Sequence, residues 1–147
     1  MIIISVRDNP QYLDGLVDYY CSAWKLNREI WRELIGDCVT TKNPLPRWYI
    51  MLDGENIIGC VGLMVDGSEP NLAGLYIDED KRSKGLGALL ANHAVEEAAG
   101  LGLSRIYLTT YHIGYFEKCG WTFLEEDNKV RKYTINTPYI QPQEEYK

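Results

Sequence analysis

Apolar positions in the first 40 residues repeat with helical spacing. After a short strand at residues 1–6, Asn9-Pro10 predicts a helix start, with proline at the first helical position. Apolar side chains then fall at 13, 16, 17, 20, 21 and 24, one face of an α-helix. A second helix starts near Asn27, with the stripe Ile30, Trp31, Leu34, Ile35, Cys38 and Val39. From Trp48 the rhythm changes. Trp48–Leu52 and Ile57–Val65 read as strands joined by Asp53-Gly54-Glu55-Asn56, a strong hairpin signal. Both faces of these strands are apolar, so the sheet is expected to be covered on both sides.

A turn at Asp66–Pro70 leads into the strand Leu72–Ile77. A charged turn, Asp78–Gly87, precedes a helix from about Gly85 to Gly100 with the stripe Leu86, Leu90, Ala94, Ala98 and Leu101. Arg105–Thr110 is a strand, Ile113–Cys119 a short helix stopped at Gly120, and 121–125 with 129–135 a final hairpin. The order β-α-α-β-β-β-α-β-α-β-β predicts an α/β protein with a mixed sheet rather than a doubly wound one. One domain is expected over residues 1–136, and residues 137–147, polar with two prolines, read as a tail.

Composition narrows the classes. The 147 residues are 46% apolar and 24% charged, values of a globular chain that builds a core unaided. The longest apolar run, Ile57–Val65, has nine residues where a membrane span needs about 20. The first residues lack the basic leader and cleavage site of a signal peptide. Cys21, Cys38, Cys60 and Cys119 are widely spaced and set in apolar runs, and only two histidines accompany them. They read as reduced thiols in a cytoplasmic protein, with no metal site. A net charge of −6 disfavours nucleic acid and anionic membranes as partners and suits a cationic molecule or a peptide amine.

Against that acidic background Lys81, Arg82 and Lys84 cluster before Gly85-Leu86-Gly87-Ala88, where a strand feeds a helix. Glycines let a backbone approach a ligand closely, and a helix N-terminus offers unpaired N–H groups with partial positive charge. The combination suits a pyrophosphate. A P-loop is excluded because no Gly-Lys-Ser/Thr ending occurs. A dinucleotide fingerprint fails because the third glycine is missing.

Arg82-x-x-Gly85-x-Gly87 after Leu72–Ile77 resembles the acetyl-CoA signature of the GNAT acetyltransferase superfamily. Tyr107-Leu108-Thr109-Thr110 followed by Gly114-Tyr115-Phe116-Glu117-Lys118-Cys119-Gly120-Trp121 is similar to that superfamily's last block. The resemblance implies a GNAT-like fold with a twisted mixed sheet and about four helices. It implies transfer of acetyl from acetyl-CoA to a primary amine of a small molecule or peptide, by direct attack in a ternary complex. Backbone groups of Leu75, Tyr76 and Ile77 would hold the pantetheine, and the amides of Arg82, Ser83, Lys84, Gly85, Leu86, Gly87 and Ala88 the pyrophosphate. Two strands would splay after a bulge, and an amide near Ile77 would polarise the acetyl carbonyl.

The chain departs from the pattern at one position. The superfamily places a tyrosine four residues before the last glycine, as acid to the leaving thiolate; here that position is Phe116, which joins the coenzyme-binding set. Tyr115 is its neighbour, about 100° away on a helix. His112 lies one turn before Phe116 and could relay a proton at neutral pH. His112 and Tyr115 are therefore the catalytic candidates. Glu69, Asn71, Asp78 and Asp66 are candidate bases that spacing does not rank. Trp24 and Trp31 would face the acceptor amine, with Glu29 or Glu33 as anchor, although both tryptophans also lie on core stripes. His93 reads as structural. Cys119, at the negative end of a helix, is rejected as nucleophile. Phe116 keeps open a second expectation, a coenzyme-A-binding regulatory module with little or no transferase activity. A homodimer is compatible with either.

Overall fold

The computed structural model describes residues 1–139. Its elements are β1 (Ile2–Ser5), α1 (Leu13–Trp24), α2 (Arg28–Thr40), β2 (Arg47–Asp53), β3 (Asn56–Asp66), β4 (Glu69–Ile77), α3 (Leu86–Gly100), β5 (Arg105–Thr110), α4 (Tyr115–Lys118), β6 (Thr122–Asp127) and β7 (Val130–Asn136). The seven strands form one sheet in the order β1-β2-β3-β4-β5-β7-β6. All neighbours are antiparallel except β4 and β5, which run parallel. The expected mixed sheet is present.

The two-sided apolar pattern of β2 and β3 has its cause in two separate cores. On one face α1 and α2 bury Leu16, Val17, Tyr20, Ile35 and Cys38 against Trp48, Ile50 and Cys60. On the other, α3 buries Leu90, Ala91, Ala94 and Ala98 against Tyr49, Val61, Leu63 and Ile106. Each large aliphatic side chain so buried contributes about 1.5–3 kcal/mol of transfer free energy. The small residues of α3 let it lie close to β3: a Cβ added at Gly59 would stand 2.9 Å from Leu90 Cδ1.

Several local expectations need correcting. Asn9 does not cap α1; its side-chain Nδ2 donates to the Ser5 carbonyl at 2.9 Å, and Pro10–Tyr12 forms a 3₁₀ turn before the helix. Asn27 does cap α2, its side chain accepting from the Ile30 N–H at 3.1 Å. The expected polar tail, 137–147, opens on an anchored residue. Thr137 is buried, its amide donates to the Ser104 carbonyl at 3.0 Å, and its hydroxyl donates to the Leu103 carbonyl at 2.5 Å. The rest of the expected tail, 140–147, lies outside the described residues.

Candidate active site

β4 and β5 are paired at Asn71 and Tyr107 and diverge beyond that point. The divergence follows from a bulge. Cys60 faces Tyr76 while Gly62 faces Ala73, so β4 carries one residue too many between them. Gly74 absorbs the distortion with φ +63°, a conformation side-chain-bearing residues rarely adopt. A Cβ there would also stand 2.7 Å from Tyr20 Oη. A cleft of about 750 Å³ fills the gap between the strands. It is lined by Trp24, residues 72–77, Arg82, Ser83, residues 85–88 and 108–112, Tyr115 and Phe116.

One end of the cleft is built for an anion. Ser83 and Gly85 both take positive φ, +67° and +78°, so the backbone turns tightly just before α3. Gly85 is the N-cap of α3, and no side chain caps the helix. The first amides of α3 therefore lack intrahelical partners and point outward with the positive end of the helix dipole. Arg82 is fixed beside them: its Nε donates to the Ile77 carbonyl at 3.0 Å, and its guanidinium lies 5.1 Å over the Tyr76 ring. Lys84, expected in the same set, is exposed and does not line the cleft; Lys81 faces Asp80 at 3.8 Å.

The β5 side differs from expectation most. His112 is not one turn before Phe116 on the same helix. Gly114, with φ +93°, is the N-cap of α4, so the helix begins at Tyr115 and His112 lies in the preceding bend. His112 is exposed at the cleft rim, its amide donating to Thr110 Oγ1 at 3.1 Å. Phe116 is buried edge-on to Trp121, with ring centroids 6.0 Å apart, and also packs on Tyr133. Tyr115 carries a hydroxyl into the cleft, 2.8 Å from where a Cβ on Gly87 would sit. Burial, and then the neighbouring Cys119 thiol, push this phenol above its ordinary range, so it keeps its proton at neutral pH.

Two of the candidate bases are engaged. Glu69 accepts from Lys132 Nζ at 2.8 Å, and Asp78 accepts from Tyr19 Oη at 2.5 Å. Asp66 is exposed and, with Asn71, lines a shallower hollow that shares Leu72, Ala73, Gly74 and Thr109 with the cleft. Trp24, 40% exposed, lines the cleft with its ring edge-on to Tyr76. Trp31 does not line it and packs on Tyr20, ring centroids 5.7 Å apart. His93 lies outside the cleft against Tyr49. All four cysteines are free, and burial pushes the Cys38 thiol up to about 11. Among the described residues no group of three or more metal-ligating side chains occurs, and no helix is long and apolar enough to cross a membrane.

Residues 13–121 match the family model of the acetyltransferase (GNAT) family. The chain belongs to that family. It is an acyltransferase with the mixed-sheet fold of GNAT proteins. A peptidyl-lysine N-acetyltransferase, YjaB of Salmonella typhimurium, is 27% identical over 109 residues, 74% of this chain and 68% of that protein. An aminoglycoside 6'-acetyltransferase type Ii superposes with a TM-score of 0.73 at 22% identity, over 97% of this chain and all of that one. The PaiA N-acetyltransferase of Thermoplasma acidophilum, solved with coenzyme A, gives 0.68 at 15% identity, over 92% and 99%.

The cleft is shaped for an extended ligand with an anionic end. The uncapped amides of α3, beside Arg82, suit an anionic group, and Gly85 leaves room for one. The β4 edge at Leu75–Ile77, beyond the pairing with β5, lines the cleft. Tyr20, whose hydroxyl reaches the Gly74 carbonyl, was hidden in the apolar stripe of α1, and Tyr19, whose hydroxyl reaches Asp78, lies beside that stripe. The adjacent pair of tyrosines was the one visible signal.

Proposed function

We propose that the chain transfers acetyl from acetyl-CoA to a primary amine by direct attack in a ternary complex. The observation that carries this reading is the gap between β4 and β5, with an anion cradle at one end and the Tyr115 hydroxyl within it. Acetyl-CoA supplies the activated acyl group. Leu75, Tyr76 and Ile77 hold the pantetheine through their backbone. Residues Arg82, Ser83 and Gly85–Ala88 hold the diphosphate. An amide near Ile77 donates to the acetyl oxygen as charge develops there. Tyr115 keeps its proton at neutral pH and gives it to the departing sulfur, the role that Phe116 cannot fill. His112, at the solvent-facing rim, relays the proton lost by the amine. Trp24 offers a ring face to the cationic acceptor. The YjaB relative supports a peptidyl lysine, and the aminoglycoside enzyme an aminoglycoside amine, as acceptor class.

Free-thiol release from acetyl-CoA over a panel of lysine peptides, polyamines, aminoglycosides and amino acids tests this. Release with one class, together with an acetylated product of matching mass, is expected. Saturable coenzyme binding with no release on any class would overturn transfer and favour the regulatory module that Phe116 suggested.

A further inference from the structure

Resting on that reading, we propose that Tyr19 and Tyr20 are positioning residues: adjacent on α1, they clamp the two ends of the β4 segment that presents the acyl donor. Past Asn71, β4 has lost β5 as a neighbour and is held in the sheet by β3 alone. The segment Gly74–Asp78 is thus the cleft wall with the weakest in-plane support. The two phenols reach it from the face of the sheet. Tyr20, fully buried, donates to the Gly74 carbonyl at 2.5 Å, at the bulge itself. Tyr19 donates to Asp78 Oδ1 at 2.5 Å, just past the end of the strand.

The rings that carry these hydroxyls are themselves held. Tyr20 packs on Trp24, Trp31 and Trp48 with ring centroids 5.1, 5.7 and 5.5 Å away. Tyr19 stands edge-on to Tyr76 at 5.6 Å, between the two grip points. Apart from Tyr20, the side-chain neighbour of the Gly74 oxygen is the Cys60 thiol at 3.9 Å, a weak donor. Burial raises both phenols above their ordinary range, so both remain donors across the working pH range. The clamp fixes where the Leu75–Ile77 amides point, and a shift of about 1 Å in a reacting group can cost a hundredfold in rate.

The test compares Tyr20→Phe and the Tyr19→Phe/Tyr20→Phe pair with Cys38→Ala. Cys38 lies in the same buried cluster but on α2, away from the cleft, so its truncation loosens the core without touching the grip. Backbone amide exchange at Gly74–Asp78 is read by NMR without ligand, and kcat and KM are read with acetyl-CoA and the active amine. We expect faster exchange confined to Gly74–Asp78 in the tyrosine variants, and kcat lowered about tenfold or more with the amine KM within about twofold. Unchanged exchange and kcat in the folded pair variant would overturn the clamp. So would equal losses in Cys38→Ala at matched melting temperature, which would make the tyrosines ordinary core. A wild-type chain that binds no acetyl-CoA defeats the functional reading instead; the ligand-free exchange then decides the clamp alone.

Discussion

The two walls of the cleft are made differently. The β4–α3 wall presents main chain: a bulge at Gly74, a tight turn at Ser83–Gly85 and the uncapped start of α3. Tyrosines brace it from behind, and Arg82 is tied to it through the Ile77 carbonyl. The β5–α4 wall presents side chains on a short bend and a one-turn helix. Of those lining the cleft, Tyr111 is 74% exposed and Tyr115 42% exposed. A ligand shared by many enzymes, such as a diphosphate on a pantetheine arm, can be gripped by backbone, which depends on few residue identities. An acceptor particular to one enzyme must be chosen by side chains. On the proposed reading, the contrast explains why two glycines and an arginine suffice to propose a donor site, and why no comparable signal points to the acceptor.

The sharpest way to break the contrast is Gly85→Glu. It places a carboxylate where the anion cradle opens and imposes a side chain at φ +78°. Acetyl-CoA affinity should fall about a hundredfold, roughly 2.7 kcal/mol, in calorimetry on a folded variant. Next is the phenol on the opposite wall. Tyr115→Phe should lower kcat by about a hundredfold while changing acetyl-CoA affinity little, because only proton donation is lost. Retained kcat would reassign Tyr115 to the coenzyme cradle beside Gly87. His112→Ala should cost less, about threefold to tenfold in kcat, since water can replace a relay at an exposed rim. Equal rates in variant and parent would remove His112 from the mechanism.

The smallest effect concerns what anchors α4. Glu117 accepts a hydrogen bond from the Tyr133 hydroxyl on β7, and Arg131 stands 3.8 Å away. The Tyr133 hydrogen bond foremost, with Arg131 adding to it, holds the Glu117 carboxyl below its ordinary value. The lowered group contributes stability that is present above its unfolded pKa, about 4.3, and lost as pH falls through the lower folded value. Thermal melts should show Glu117→Gln slightly less stable than the parent at pH 7, with the gap closing in acid. A gap constant across that range would mean that the charge of Glu117 does not brace α4.

The middle of the sheet was open to reading because its rules are local. Asp53–Asn56 marks the hairpin, the two-sided apolar strands announce helices on both faces, and Gly85 marks the start of α3. The failures share a cause: each turned on what a residue meets elsewhere in the fold. Gly114 takes φ +93° and delays α4, which moves His112 off the helix. Stripe periodicity could not separate Trp24, which reaches the cleft, from Trp31, which packs on Tyr20. Nor could it show that the polar ends of Tyr19 and Tyr20 serve β4. Thr137 looked like part of a tail because its partners, Leu103 and Ser104, lie more than 30 residues away in sequence.

The most direct test of the central claim is a calorimetric titration of the wild-type chain with acetyl-CoA, repeated with desulfo-CoA and with NAD. Saturable one-to-one binding of acetyl-CoA, matched closely by desulfo-CoA and absent for NAD, would bear out a backbone-built cradle for the diphosphate and pantetheine arm. Failure to bind acetyl-CoA at millimolar concentration, or binding of NAD as tight, would contradict it.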